Sequence, residues 1–217
     1  MTQIKHAINE EYKSEVFLMD CMEGMKQYPD KYWDLAVVDP PFGIGAENHA
    51  GNVKNGWTQW EKKKWDKNIP ESEYFIELLR VSKNQIVWGG NYMTDFLPPK
   101  MCWLIWDKGQ RDFSLADGEM AWTSFDKAMR IKTIHRATAN QESKIHPTQK
   151  PVQLYDWIFK NYATEGQKIL DTHLGSQSSR ISANKNKLHF TGFELDPDYF
   201  RDGNKRYEDF VSQLTLF

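Results

Sequence analysis

An α/β fold built on a mainly parallel sheet is what this sequence predicts, and three observations carry the expectation. Six short apolar runs rich in β-branched and aromatic residues recur along the chain, helix-period stripes lie between several of them, and four of the runs end on an acidic residue. Strands covered on both faces read as continuous apolar runs, and their alternation with helices sets the ligand site outside the carboxyl ends of the strands. With 217 residues and 40% hydrophobic content, the chain is long enough for one closed core and short for two, so a single domain over 1–217 is expected.

In chain order the expected strands are Val16–Met19, Leu35–Val38, Gln85–Trp88, Met101–Trp106, Lys168–Leu170 and Phe190–Phe193. Phe75, Leu78, Leu79 and Ser82 form one helical stripe, and Tyr155, Ile158, Phe159 and Tyr162 a second. A turn over Thr172–Ser179 leads into a further helix. The stretch 44–68, with Gly45, Gly51, Gly56, Trp57, Trp60, Trp65 and the run Lys62-Lys63-Lys64, fits neither period and reads as a loop insertion. Residues 107–145 read as a connecting region, polar and turn-like from Arg136 to Ile145.

No apolar run approaches the roughly 20 residues that cross a bilayer, so no membrane association is expected. The start, Met1 to Asn9, has neither a basic n-region nor an apolar h-region. Cys21 and Cys102 have no disulfide or metal-ligand spacing, which points to a reduced, cytoplasmic setting and no metal. A net charge of -2 gives no overall field to attract a polyanion. The charge is uneven, however. From Phe125 to Lys150, Lys127, Arg130, Lys132, Arg136, Lys144 and Lys150 face only Asp126 and Glu142, a strip compatible with a DNA-facing edge or with a solvated loop.

The four terminal acids are Asp20, Asp39, Asp171 and Glu194. In a parallel sheet they converge on one edge, which repels phosphate and suits a neutral or cationic ligand rich in donors. Each acid could instead cap a following helix. That reading is weaker for Asp39, which precedes two prolines, and for Glu194, where Asp196 before Pro197 is the better cap. There is no GxGxxG and no GxxxxGK[ST], so a nicotinamide oxidoreductase or a P-loop enzyme would lack its phosphate cradle. Gly175 lets the backbone approach a ligand closely.

Asp39-Pro40-Pro41-Phe42 resembles the (D/N/S)PP(Y/F/W) signature of amino-methylating DNA methyltransferases. His146-Pro-Thr-Gln-Lys-Pro151, Asp171-Thr-His-Leu-Gly-Ser176 and Gly192-Phe-Glu-Leu-Asp-Pro-Asp-Tyr199 follow in fixed order, and Met19–Met25 and Trp88–Tyr92 also look like family segments. The catalytic motif precedes the cofactor motif, as in the permuted β-type arrangement of the N6-adenine and N4-cytosine enzymes of phage-like or restriction-modification type. The resemblance implies a Rossmann-like, mostly parallel seven-stranded sheet with helices on both faces, with target recognition within about 107–145. It also implies S-adenosyl-L-methionine as cofactor, whose sulfonium, ammonium and ribose hydroxyls match the acidic edge.

On that basis Glu194 binds the ribose hydroxyls, Asp20 and Cys21 the adenine, and His146, Thr148, Gln149 and Lys150 close over the methionine end. Asp171, Leu174, Gly175 and Ser176 complete the cofactor set. Where the family usually has a second glycine this chain has Gln177, at a cost of about 1 kcal/mol or more if φ is positive there. Catalysis is assigned to Asp39, Pro40, Pro41 and Phe42: the Asp39 carboxylate and Pro40 carbonyl accept hydrogen bonds from the target amine, the prolines supply rigidity, and Phe42 offers a stacking face.

Aspartate at 39 favours adenine N6. Cytosine N4, usually with serine there, stays open, as does a silent DNA- or cofactor-binding module, although all four acids are present. Protein or RNA amide methylation, usually with asparagine, ranks lower. Lys62, Lys63, Lys64, Asn91 and Lys144 are the candidate DNA contacts. Candidate partners are double-stranded DNA, a second copy of the chain as a homodimer, and a sliding clamp. The last of these rests on Gln213-Leu214-Thr215-Leu216-Phe217, which resembles the QLxLF docking peptide of bacterial replication proteins.

Overall fold

The computed structural model describes residues 2–8, 12–46, 63, 65–112, 116–139, 142 and 144–214, with the backbone alone at 5–8, 137 and 214. Its strands are β1 (Thr2–Ile8), β2 (Tyr12–Leu18), β3 (Trp33–Val38), β4 (Ser82–Trp88), β5 (Trp103–Asp107), β6 (Gly118–Thr123), β7 (Arg130–Thr133), β8 (Lys168–Asp171) and β9 (His189–Glu194). The helices are α1 (Cys21–Met25), α2 (Ser72–Val81), α3 (Arg136–Ala139), α4 (Val152–Tyr162), α5 (Ser178–Lys185) and α6 (Pro197–Leu214). All strands join one sheet in the order β1-β2-β9-β8-β3-β4-β6-β5-β7.

The central strands β2, β9, β8, β3 and β4 are parallel, as their apolar runs predict. Along β3 the side chains alternate between two cores. Leu35 and Val37 pack with Leu154, Ile158 and Phe159 of α4, Ala183 of α5 and Phe200 of α6. Ala36 and Val38 pack on the other face with Met25 of α1 and with Tyr74, Phe75 and Leu78 of α2. Burial of both faces at about 25 cal/mol per Å² is what holds a parallel sheet together and explains why these strands carry no solvent-facing alternation.

Among the described residues the sheet has nine strands where seven were expected. β1 adds an antiparallel edge beside β2, and β7 closes the opposite edge beside β5. Part of the region 107–145, read as connecting, therefore belongs to the sheet, with β6 inserted antiparallel between β4 and β5. The added strands escaped the apolar-run criterion because edge strands carry polar and charged residues against uncontrolled pairing: β1 reads TQIKHAI and β7 RIKT. Ser82, expected on the α2 stripe, instead begins β4, its hydroxyl donating to the Leu78 carbonyl at 2.5 Å.

Asp196 caps α6 as expected: its Oδ1 accepts the backbone N–H groups of Asp198 and Tyr199 at 2.9 and 3.0 Å, with Pro197 as the first helical residue. We predict that Asp196→Ala lowers unfolding free energy by about 1–2 kcal/mol. Urea denaturation followed by circular dichroism checks this.

Candidate active site

The strand order turns four separate acids into a row. β2, β9, β8 and β3 are consecutive and parallel, so Asp20, Glu194, Asp171 and Asp39 follow one another along a single carboxyl edge. Each is held differently. Asp20 caps α1 through Met22 N–H at 2.7 Å. Glu194 accepts the N–H groups of Gly175, Leu195 and Asp196 at 2.8–3.0 Å. Asp171 accepts from His173 N–H at 3.0 Å and from the Ser179 hydroxyl at 2.5 Å, and burial pushes its pKa up to about 7.

Asp39 sits at the end of β3, where Pro40 and Pro41 stop the strand. One carboxylate oxygen, Oδ2, lies 2.5 Å from the Lys150 ammonium. The other, Oδ1, is buried and has no hydrogen-bond partner among the described residues. Burial raises the Asp39 pKa, Lys150 opposes that rise and Glu119 adds to it. Lys150 is shared: its ammonium also lies 3.1 Å from Glu119 of β6, and Glu119 meets Lys108 at 2.7 Å. Burial alone would depress Lys150 and raise Glu119, but the opposite charges prevail, so Lys150 is raised and Glu119 falls to about 2.

The turn after Asp39 is clamped by Asp66. Its carboxylate accepts the N–H groups of Phe42, Gly43 and Ala46 at 2.5, 2.9 and 2.8 Å, and its own carbonyl accepts from Gly45 at 3.1 Å. Phe42 stacks on Tyr92, with centroids 5.5 Å apart, and its edge lies against Gly89, where an added Cβ would meet the ring at 2.2 Å. Gly89 has φ +69°, so glycine is required there twice over.

Beside this turn lies a cavity of about 350 Å³ lined by Asp20, Cys21, Met22, Pro41, Tyr74 and His173 among others. That volume falls within the range of small-molecule sites. The Tyr74 hydroxyl and Thr172 hydroxyl are 2.7 Å apart, and Thr172 is 2.9 Å from His173 Nδ1, so the wall is internally braced.

Residues 87–205 match the family model described as DNA methylase. The chain belongs to the DNA methylase family. The matched segment runs from the end of β4 into α6, and the Asp39 turn precedes it. An Escherichia coli protein named as a methylase, YubD, is 22% identical over 203 residues, covering 86% of this chain and 87% of its own. Type II methyltransferase M2.DpnII of Streptococcus pneumoniae is 35% identical over 63 residues, 29% of this chain and 24% of that one. Among solved structures, M1.HpyAVI in complex with S-adenosylmethionine superposes with a TM-score of 0.58 at 16% identity, covering 88% of this chain and 97% of that one. The PvuII cytosine-N4-specific DNA methyltransferase gives 0.59 at 12% identity, covering 92% and 90%. These two likenesses establish the Rossmann-like methyltransferase fold.

Within this DNA methylase, Asp20 and Cys21 line the cavity, while Glu194, Gly175 and Asp171 form the adjoining edge. His146 lies over Gly175, 3.6 Å from where a Cβ would stand, wedged against Tyr199 and Trp65. Burial lowers its pKa to about 3, so it is neutral. Thr148 is exposed and bonds His146 Nδ1 at 3.2 Å, and Gln149 accepts Ile145 N–H at 3.1 Å. Leu174 is buried under Gly192, and Ser176 pairs with the Ser178 hydroxyl at 3.1 Å. Lys150, assigned with this segment, stands behind Asp39, where the carboxylates of Asp39 and Glu119 neutralise its charge.

Gln177 does adopt φ +58°, but it leaves the ligand side free: its Oε1 accepts from Arg180 at 2.8 Å and its chain packs against Gly203 of α6. Lys63 does not face open solvent. It pairs with Asp196 and Asp198 at 2.6 and 2.9 Å and covers the Tyr199 ring. Lys62 and Lys64 lie outside the described residues, as do Leu216 and Phe217, whereas Gln213 and Leu214 end α6. Asn91 and Lys144 are exposed, and Asn91 adjoins Tyr92.

Asp66, Glu119, Tyr74 and His173 were not anticipated. Only a lone acid inside the strand GEMAWT could have signalled Glu119, and Asp66 was one polar residue in an insertion.

Two outcomes follow. Gly89→Ala should displace Phe42 and cost at least about 1 kcal/mol, measurable by chemical denaturation. Asp171 keeps its proton in the folded state to about pH 7, so the stability it contributes is present at low pH and lost as pH rises through about 7. Asp171→Asn should therefore gain on the parent protein by on the order of 3 kcal/mol between pH 5 and pH 8, read from thermal midpoints at both.

Proposed function

We propose that this protein transfers a methyl group from S-adenosyl-L-methionine to the exocyclic amine of a base in double-stranded DNA, and that the base is adenine, modified at N6. The observation that carries the reading is the buried Oδ1 of Asp39, unpartnered among the described residues, in an Asp-Pro-Pro-Phe turn at the carboxyl edge of the sheet.

The cofactor suits the cavity beside that turn in volume and charge: Asp20 offers an acceptor, Cys21, Met22 and Tyr74 offer wall, and Glu194 stands on the neighbouring strand end. S-adenosylmethionine bound there supplies an electrophilic methyl on a sulfonium, with sulfur retaining the electron pair of the broken bond. The acids along the edge favour that positive charge.

An exocyclic base amine is a poor nucleophile because its lone pair is delocalised into the ring. Asp39 Oδ1 accepts one amine hydrogen and the Pro40 carbonyl the other, which localises the lone pair and aims it at the methyl carbon. Asp39 Oδ1 then takes the proton that the methylated nitrogen loses. Asp66 holds the turn so that both acceptors are in place beforehand. Phe42 already stacks on Tyr92, which is 45% exposed, so the two rings form a platform for a flipped base.

The test uses DNA lacking amino-methylation and S-adenosylmethionine tritiated in the methyl group. Incorporation should appear as N6-methyladenine after nucleoside digestion, and Asp39→Ala should reduce it by about 10³-fold or more while calorimetry shows cofactor affinity within about threefold. N4-methylcytosine as the product would replace adenine in this reading, and full activity of Asp39→Ala would overturn it.

A further inference from the structure

We propose that Glu119 is a positioning residue of the methyl-transfer site: from β6 it holds the Lys150 ammonium behind Asp39, so that Asp39 turns one oxygen to Lys150 and leaves Oδ1 for the target amine. The inference rests on the role assigned to Asp39 above.

Four charges alternate in a chain of contacts, Asp39, Lys150, Glu119 and Lys108, with separations of 2.5, 3.1 and 2.7 Å. Their formal charges cancel. The Lys150 side chain is 2% exposed and its ammonium lies 5.3 and 5.2 Å from the ring centroids of Phe42 and Trp88, a setting without water to share the charge. An ammonium so enclosed and paired with Asp39 alone would bind that carboxylate tightly and draw electron density from both its oxygens. Division between two carboxylates loosens that hold, and the charge of Glu119 makes Asp39 the better proton acceptor.

Geometry gives Glu119 this task by a second route. β6 also accepts Gly89 N–H at the Met120 carbonyl, 2.9 Å away, so one strand fixes both the seat of Phe42 and the partner of Asp39. Other titratable groups act on the cluster: Asp66, Asp171, Tyr74 and Tyr155 on Asp39, and His146 on Lys150. Burial holds His146 and both tyrosines neutral at working pH, and Asp66 is committed to the turn. Glu119 is the acid that contacts Lys150 besides Asp39.

The test compares Glu119→Gln, Lys108→Met and Asp39→Ala with the parent protein, using single-turnover methyl transfer from tritiated S-adenosylmethionine across pH and calorimetry with S-adenosylmethionine itself. Glu119→Gln removes a negative charge that raises Asp39, so its rate should fall by about tenfold with cofactor affinity within about twofold, and the acid limb of its pH–rate profile should move down by about one unit. Lys108→Met removes a cation, so its acid limb should move up. Opposite shifts would not arise from a merely structural ion pair. Should Glu119→Gln fail to fold by circular dichroism, the Lys108→Met limb decides alone. Unmoved limbs, or a wild-type rate in Glu119→Gln, would overturn the positioning role while leaving Asp39 in place. Activity in Asp39→Ala would instead remove the reading beneath it.

Discussion

A carboxylate enclosed by protein needs a counter-charge, and the surroundings of Asp39 are arranged to supply one. Asp39 is half-buried at the end of the central strand β3, with its Oδ1 atom enclosed, and Lys150 reaches it from more than 100 residues further along the chain. Isolated, either charge would cost several kcal/mol to bury and would neutralise itself by gaining or losing a proton. Together with Glu119 and Lys108 they form a neutral cluster that ties the carboxyl end of β3, strand β6 and the segment before α4 into one unit.

A second constraint acts on the backbone. The Asp39-Pro40-Pro41-Phe42 turn leaves the sheet and cannot be held by ladder hydrogen bonds, so its N–H groups require another acceptor. Asp66 supplies it for Phe42, Gly43 and Ala46 with a single carboxylate. The neighbouring Trp65 packs on His146, and Lys63 pairs with Asp196 and Asp198. Lys63, Trp65 and Asp66 thus link the Asp39 turn to the start of α6. A segment that reads from composition as a basic loop is, in its described part, structural cement.

Gln177 shows how one unusual residue is accommodated. Its left-handed backbone carries a cost that glycine would avoid. The side chain offsets some of this by joining Ser14 and Asn204 around the buried guanidinium of Arg180, which also lies 3.8 Å from the Tyr207 ring centroid. The substitution is thereby absorbed between α5 and α6, away from the ligand cavity.

The sequence by itself determined the central parallel strands, the helices between them and the four acids at the strand ends, because hydrophobic period and strand termini are local properties. It also set Asp39 apart from the other three acids, through the Asp-Pro-Pro-Phe turn that it opens. Only the tertiary structure decided what lies beside Asp39. Glu119 meets Lys150 across about 30 residues of chain and Asp66 meets the Asp39 turn across about 20, and pairing of that kind leaves no periodic trace. The polar edge strands β1 and β7 were hidden for a related reason: a strand that pairs on one side needs little apolar surface, so pairing reveals it where hydropathy does not. Likewise Lys63 and Lys150 differ in no local feature from surface lysines, and folding alone brought each of them to its carboxylates.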